Sequence, residues 1–120
     1  MNLTLHGIPT CGTVKKARKW LDARSIPYTF VDFRSSPPSR EQVARWVEHF
    51  GARALRNTSG GAYRALGPEK KTWDDARWLE AFLADPMLIK RPVVEIDGAP
   101  ALVGFKEPLW LERVASEEQA

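Results

Sequence analysis

The chain contains one cysteine, Cys11, in surroundings where a thiol becomes a nucleophile. The local run is Gly7-Ile8-Pro9-Thr10-Cys11-Gly12-Thr13-Val14-Lys15-Lys16-Ala17. A Gly/Pro turn leads into the cysteine, and a strongly patterned helix begins directly after it. A thiol at a helix start faces unpaired backbone N–H groups and the positive end of the helix dipole. Both favour the thiolate, the nucleophilic form. Free cysteines are often buried and inert, but the turn-then-helix context points to reactivity. Gly12 removes side-chain bulk where a ligand would meet backbone amides, or else serves an easy turn. Thr13 is expected to cap the helix, with a hydroxyl hydrogen bond to the thiolate as its other role. Lys15 and Lys16 break a local rule, because cations are disfavoured in the first turns of a helix. Either they lie on a solvated face, or an anion bound nearby offsets the penalty.

A second candidate group lies far along the chain. Pro92 biases Arg91 to extended geometry, and a guanidinium suits bidentate binding of a tetrahedral oxyanion. Arg56, Arg64 and Lys106 are further cations that could serve such a site. His6 and His49 have no partners at metal-site or triad spacing. His6 is expected to finish the first strand and His49 to sit on a helix surface. Two absences narrow the chemistry. Val14 occupies the position of a second thiol in a Cys-x-x-Cys motif, so any adduct on Cys11 must be resolved by an external thiol. Ala17 occupies the arginine position of a Cys-x5-Arg phosphate loop, which disfavours phosphatase-type chemistry.

The elements that must position these residues follow from periodicity. Residues 2–6 read as a strand and residues 13–24 as an amphipathic helix with Val14, Ala17, Trp20 and Leu21 on its apolar face. Ser25-Ile26-Pro27 stops the helix, and residues 28–32 read as a second strand. Strand, helix, strand implies a right-handed unit with parallel strands. Ser39 and Gln42 form a capping box ahead of a helix that Gly51 closes. Residues 57–61 read as a loop followed by a short helical turn to Leu66. Thr72 with Asp75 is expected to cap a further helix that ends before Pro86. Residues 93–96 and 101–103, around Asp97-Gly98, signal a β-hairpin, with Pro100 arguing for a slightly longer loop. A last helix runs from about Glu107 to about Glu118, with Pro108 in its first turn. The order is βαβ, helices, then ββα. That is the order of an α/β, thioredoxin-like fold with a mixed four-stranded sheet and a helical insertion. In such a fold the residue preceding a proline at the start of the third strand lies beside the thiol, and Arg91-Pro92 occupies that place.

At 120 residues the chain is expected to be one domain, with residues 1–33 and 87–120 as the core and about 34–86 as the insertion. The net charge is +3, but the basic residues form no single block, so a nucleic-acid tail is not expected. No run approaches the length of a membrane span, and no signal peptide is evident. One cysteine cannot form an internal disulfide, which fits a reducing, cytoplasmic setting.

The chain resembles the ArsC family, the glutaredoxin-linked arsenate reductases with their Spx/YffB-like relatives. The resemblance rests on the run from Gly7 to Leu21, on Leu88-Ile89-Lys90-Arg91-Pro92-Val93-Val94, and on Val103-Gly104-Phe105-Lys106-Glu107. It implies Cys11 as catalytic thiol, a cis Pro92 and Arg91 as an oxyanion-binding arginine. A second family arginine falls at Asn57, with Arg56 one place away. A third corresponds to Lys106, which keeps the charge but loses the bidentate fork. The family's histidine four residues before the cysteine is Gly7 here. These departures, with the Val-Gly-Phe-Lys-Glu run, point toward the YffB-like branch.

The resulting expectation is an arsenate reductase. It binds arsenate or a similar oxyanion, uses glutathione as co-substrate and glutaredoxin as partner, and carries no bound cofactor or metal. It has no nucleic-acid or membrane partner and is a monomer. Gly12, Thr13, Arg91, Lys106 and Arg56 are the expected oxyanion-binding residues. The alternatives are a glutathione-dependent thiol-disulfide oxidoreductase and an Spx-like binding protein or regulator.

Overall fold

The computed structural model describes residues 1–115. The last three residues of the helix expected to run to about Glu118 lie outside them. Four strands form one mixed sheet in the order β2-β1-β3-β4: β1 (Leu3–Gly7), β2 (Thr29–Asp32), β3 (Val93–Ile96) and β4 (Ala99–Val103). β1 pairs parallel with β2 and antiparallel with β3, and β3 pairs antiparallel with β4. This is the thioredoxin-like arrangement. The helices are α1 (Gly12–Ala23), α2 (Arg40–Phe50), α3 (Ala52–Leu55), α4 (Gly61–Arg64), α5 (Asp75–Ala84) and α6 (Glu107–Trp110). Tight 3-10 turns cover Pro68–Thr72 and Pro86–Leu88, and α6 continues as a wider π turn over Leu111–Ala115. No helix among the described residues is long and apolar enough to cross a membrane.

The described residues divide into two compact units, residues 1–36 with 91–115 and residues 37–90. In the first, the apolar face predicted for α1 is buried: Val14, Ala17, Trp20 and Leu21. Leu3, Leu5, Ile26, Val94, Ile96, Trp110 and Val114 pack in the same core. The Val103–Glu107 run acts structurally here. Phe105 meets Trp20 and Trp110 edge-on, with ring centroids 6.1 and 5.0 Å away. The Trp20 indole donates to Glu107 Oε2 at 2.9 Å, and the Trp110 indole donates to the Gly104 carbonyl at 3.1 Å. In the second unit Trp46, Trp78, Phe82, Leu55 and Ile89 are fully buried. The backbone of Leu55–Asn57 pairs with Leu88–Lys90 there, bridging Arg56 and Ile89.

Several element boundaries show which local signal wins. The Ser39/Gln42 capping box forms in full, and Gly51 closes α2 at φ +80°. The predicted Thr72 cap does not form. Asp74 is the N-cap of α5 and accepts from the Arg77 N–H at 2.9 Å, while the Thr72 hydroxyl donates to the Glu69 carbonyl at 2.7 Å. Asp caps at least as well as Thr and stands next to the helix. The β3–β4 turn is a tight two-residue Asp97-Gly98 turn, both at positive φ, not the longer loop expected from Pro100. Pro100 is accommodated because β4 is an edge strand and the register shifts between Val94 and Glu95 opposite it.

Candidate active site

Cys11 is the N-cap of α1, in extended backbone geometry with φ −72° and ψ 126°. The preceding loop is tied at both ends. The Cys11 N–H donates to the Ile8 carbonyl at 3.2 Å, and the Lys15 N–H closes the first turn onto the Cys11 carbonyl at 2.9 Å. Arg34, just past β2, donates to the Thr10 hydroxyl at 3.3 Å and steadies the loop from the side. Placing the cysteine at the cap position leaves its sulfur before the open N–H groups of the helix.

The sulfur makes no close cap hydrogen bond as a thiol, but the groups facing it favour its anion. Burial pushes the Cys11 thiol up. The Val14 N–H, the Arg91 side chain, the Thr13 N–H and the Arg91 charge act against that, and together they hold it below the ordinary cysteine value. Thr13 therefore contributes through its backbone. It is the second helical residue, not the cap that the sequence suggested. The helix begins one residue earlier than expected because Gly12 is already helical.

Arg91 reaches the thiol across the sheet end. It precedes β3, and its peptide bond to Pro92 is cis, as the family resemblance implies. The Gly104 N–H donates to the Pro92 carbonyl at 2.8 Å and fixes the junction to the end of β4. Gly7 lets these pieces meet. A Cβ at Gly7 would stand 2.8 Å from Val14 Cγ2 and 3.7 Å from Arg91 Cβ. The end of β1, the first turn of α1 and the Arg91-Pro92 junction thus converge on a point where only hydrogen fits. Gly12 differs, since a Cβ there would meet nothing within 4 Å. Packing within the chain therefore does not require a glycine there.

The other expected cations are placed less directly. Lys106 is exposed at the N-cap of α6. Arg56 belongs to the second unit, where its guanidinium lies over the Trp78 ring at 5.2 Å. Arg64, in α4, donates to the Ser59 carbonyl at 2.8 Å. Of the oxyanion-binding cations implied by resemblance, Arg91 is the one whose interaction with Cys11 the structure gives. Among the described residues, no group of three or more His, Cys, Asp or Glu could hold a metal ion.

One feature of the site's frame was missed in the sequence. His6, next to Gly7 on β1, places Nε2 2.7 Å from Glu95 Oε1 on β3, and both side chains are buried. The imidazole also stacks on Phe33 at 6.4 Å. The available signal was Glu95 itself, a carboxylate amid a buried apolar strand, which demands a polar partner.

The ArsC family model matches residues 6–112. The chain is 37% identical to the uncharacterized protein YusI of Bacillus subtilis, over 96% of this chain and all of that one. It is 28% identical to an arsenate reductase of Acidiphilium multivorum, over 78% of this chain and 67% of that protein. Among solved structures it is similar to the YFFB protein, with a TM-score of 0.86, 38% identity, and coverage of 94% of this chain and 99% of that one.

Proposed function

The chain belongs to the ArsC family, and from that premise we propose that it is an arsenate reductase working through one cysteine and external thiols. The observation that carries this reading is the pairing of Cys11, held toward its thiolate, with the Arg91 guanidinium. In the first step the thiolate attacks arsenic of hydrogen arsenate. An S–As bond forms, and one arsenate oxygen takes up two protons and leaves as water. Arg91 holds the oxyanion and offsets the charge that develops on its oxygens, with Lys106 as a further cation for that task. Glutathione thiolate then attacks the Cys11 sulfur. The S–As electron pair stays on arsenic, which departs as arsenite, and Cys11 is left in a disulfide with glutathione. Glutaredoxin reduces that disulfide and returns the free thiol.

The test is arsenate-dependent NADPH oxidation, coupled through glutathione reductase, with glutathione and glutaredoxin present. Turnover is expected in the wild type and not in Cys11→Ser. Full turnover in Cys11→Ser would end this mechanism.

The second reading is a glutathione-dependent reductase of disulfides, favoured by Lys106 standing where the family has a bidentate arginine. Arg91→Ala separates the two if pH is varied. The substitution removes a thiolate-stabilising group, so both reactions slow near neutral pH. Where the thiol is fully ionised, a disulfide such as bis(2-hydroxyethyl) disulfide should regain its rate, while arsenate should not. Equal recovery of both substrates would leave Arg91 no oxyanion role.

A further inference from the structure

One exposed side of α1 is more basic than helix stability favours. Lys15, Arg18, Lys19 and Asp22 follow the i, i+3, i+4, i+7 spacing of a single helix face. With Lys16 beside them and Pro9 from the cysteine loop, they line an open groove of about 490 Å³. Four cations there face one carboxylate. Among the described residues, no carboxylate lies within ion-pair distance of Lys15, Lys16 or Lys19. Arg18 is held in place: its Nε donates to the Tyr28 hydroxyl at 3.1 Å, and its guanidinium lies 4.2 Å from the Phe30 ring centroid. Two of the lysines sit in the first turns of the helix, where the dipole opposes them. The first turn holds no acidic residue, and Cys11 is its N-cap.

The cationic part of this face runs along about 6 Å of helix axis from Lys15 to Lys19, beginning near the turn that carries the thiol. A single tetrahedral oxyanion would span only part of it. An extended acidic chain would match it along its length. We propose that this groove docks an acidic segment of a protein partner, the segment flanking the thiol or disulfide that exchanges with Cys11. The proposal rests on the reading of Cys11 as the exchanging thiol. The lysines then act by steering and orienting the partner's sulfur, not by touching the reacting atoms. In the exchange the Cys11 thiolate attacks one sulfur of the partner disulfide. A new S–S bond forms, the old one breaks, and the second sulfur leaves as thiolate.

The test uses two symmetric disulfide-linked peptide probes that differ only in having Glu or Gln on both sides of the cysteine. Exchange rates with Cys11 are measured for the wild type and for the triple variant K15Q/K16Q/K19Q. Gln keeps helix propensity close to that of Lys, and circular dichroism checks the fold. The wild type should prefer the Glu probe about tenfold at ~0.01 M salt, and the preference should shrink at ~0.15 M, where charges more than about 8 Å apart are screened. The triple variant should lose that preference while its rate with the Gln probe stays within about twofold. Equal preference in both proteins, or none in the wild type, would overturn the proposal. A charge preference for oxidised glutathione exceeding that for the Glu probe, and lost in the triple variant, would also overturn it by assigning the groove to a small peptide thiol. If neither probe exchanges with the wild type, the reading of Cys11 fails. The groove is then judged by anisotropy of a fluorescent Glu peptide on Cys11→Ser. Binding should weaken at least about fivefold with the three lysines replaced, and unchanged binding would overturn the proposal.

Discussion

Cys11 ionises under opposed influences, and each leaves a separate mark. Burial raises its pKa, while the Val14 and Thr13 N–H groups and Arg91 lower it further than burial raises it. Alkylation by iodoacetamide should therefore reach half its maximal rate below the ~8.5 of a free cysteine. Arg91→Ala should move that midpoint upward, and a midpoint that does not move would remove Arg91 from the thiol's environment. The linkage to stability has a definite sign. A pKa lower in the folded than in the unfolded state adds stability above the unfolded value, and that gain is lost as pH falls through the folded value. The stability difference between wild type and Cys11→Ser, read from urea midpoints, should therefore narrow as pH is lowered across that window. Gly7 gives a second prediction at this scale. Val14 is fully buried and cannot swing away from a new Cβ. Gly7→Ala should cost about 1–3 kcal/mol by overpacking, seen as a lower thermal midpoint. Gly12→Ala, with open space around its Cβ, should leave that midpoint nearly unchanged.

Among the elements, α5 separates two capping choices. Asp74→Ala should destabilise by about 0.5–2 kcal/mol through loss of the cap, whereas Thr72→Ala should cost less, because its hydroxyl serves only the preceding 3-10 turn. The reverse order in urea unfolding would return the cap to Thr72. The β1–β3 pair carries the His6–Glu95 contact beside the cysteine loop. Replacing Glu95 by Ala should cost about 1–3 kcal/mol, because it removes a buried hydrogen bond to His6. Replacing the exposed Arg40 of the Arg40–Glu80 pair should cost far less, since water and salt screen that pair. Local signals served well where they acted alone: the apolar face of α1, the Ser39/Gln42 box and the Gly51 stop are all present in the structure. They misplaced the start of α1 by one residue and the cap of α5 by two, where more than one nearby residue could begin the helix.

Across the whole molecule, each of the two units is built around tryptophans. In the first, Trp20, Phe105 and Trp110 form an edge-to-face cluster whose indole N–H groups are satisfied by Glu107 and Gly104. Trp110→Ala should cost about 3–5 kcal/mol, a large part of the ~5–15 kcal/mol that holds a typical domain together. Loss of near-ultraviolet circular dichroism at lower urea would record it. This cluster explains the Val103–Glu107 run, which reads in the sequence as a family mark and in the structure as a core fastening.

The sequence by itself determined the single thiol, its place at a helix start, the absence of a second thiol nearby, and the order of strands and helices. Those follow from rules that act over a few residues: periodicity, capping, the helix dipole and turn chemistry. Tertiary structure decided which distant groups meet Cys11. It brought Arg91 to the sulfur, set His6 against Glu95, and closed Gly7 onto Val14. These depend on strand register and on close packing between segments remote in sequence. A one-residue slip in either would turn the same side chains away.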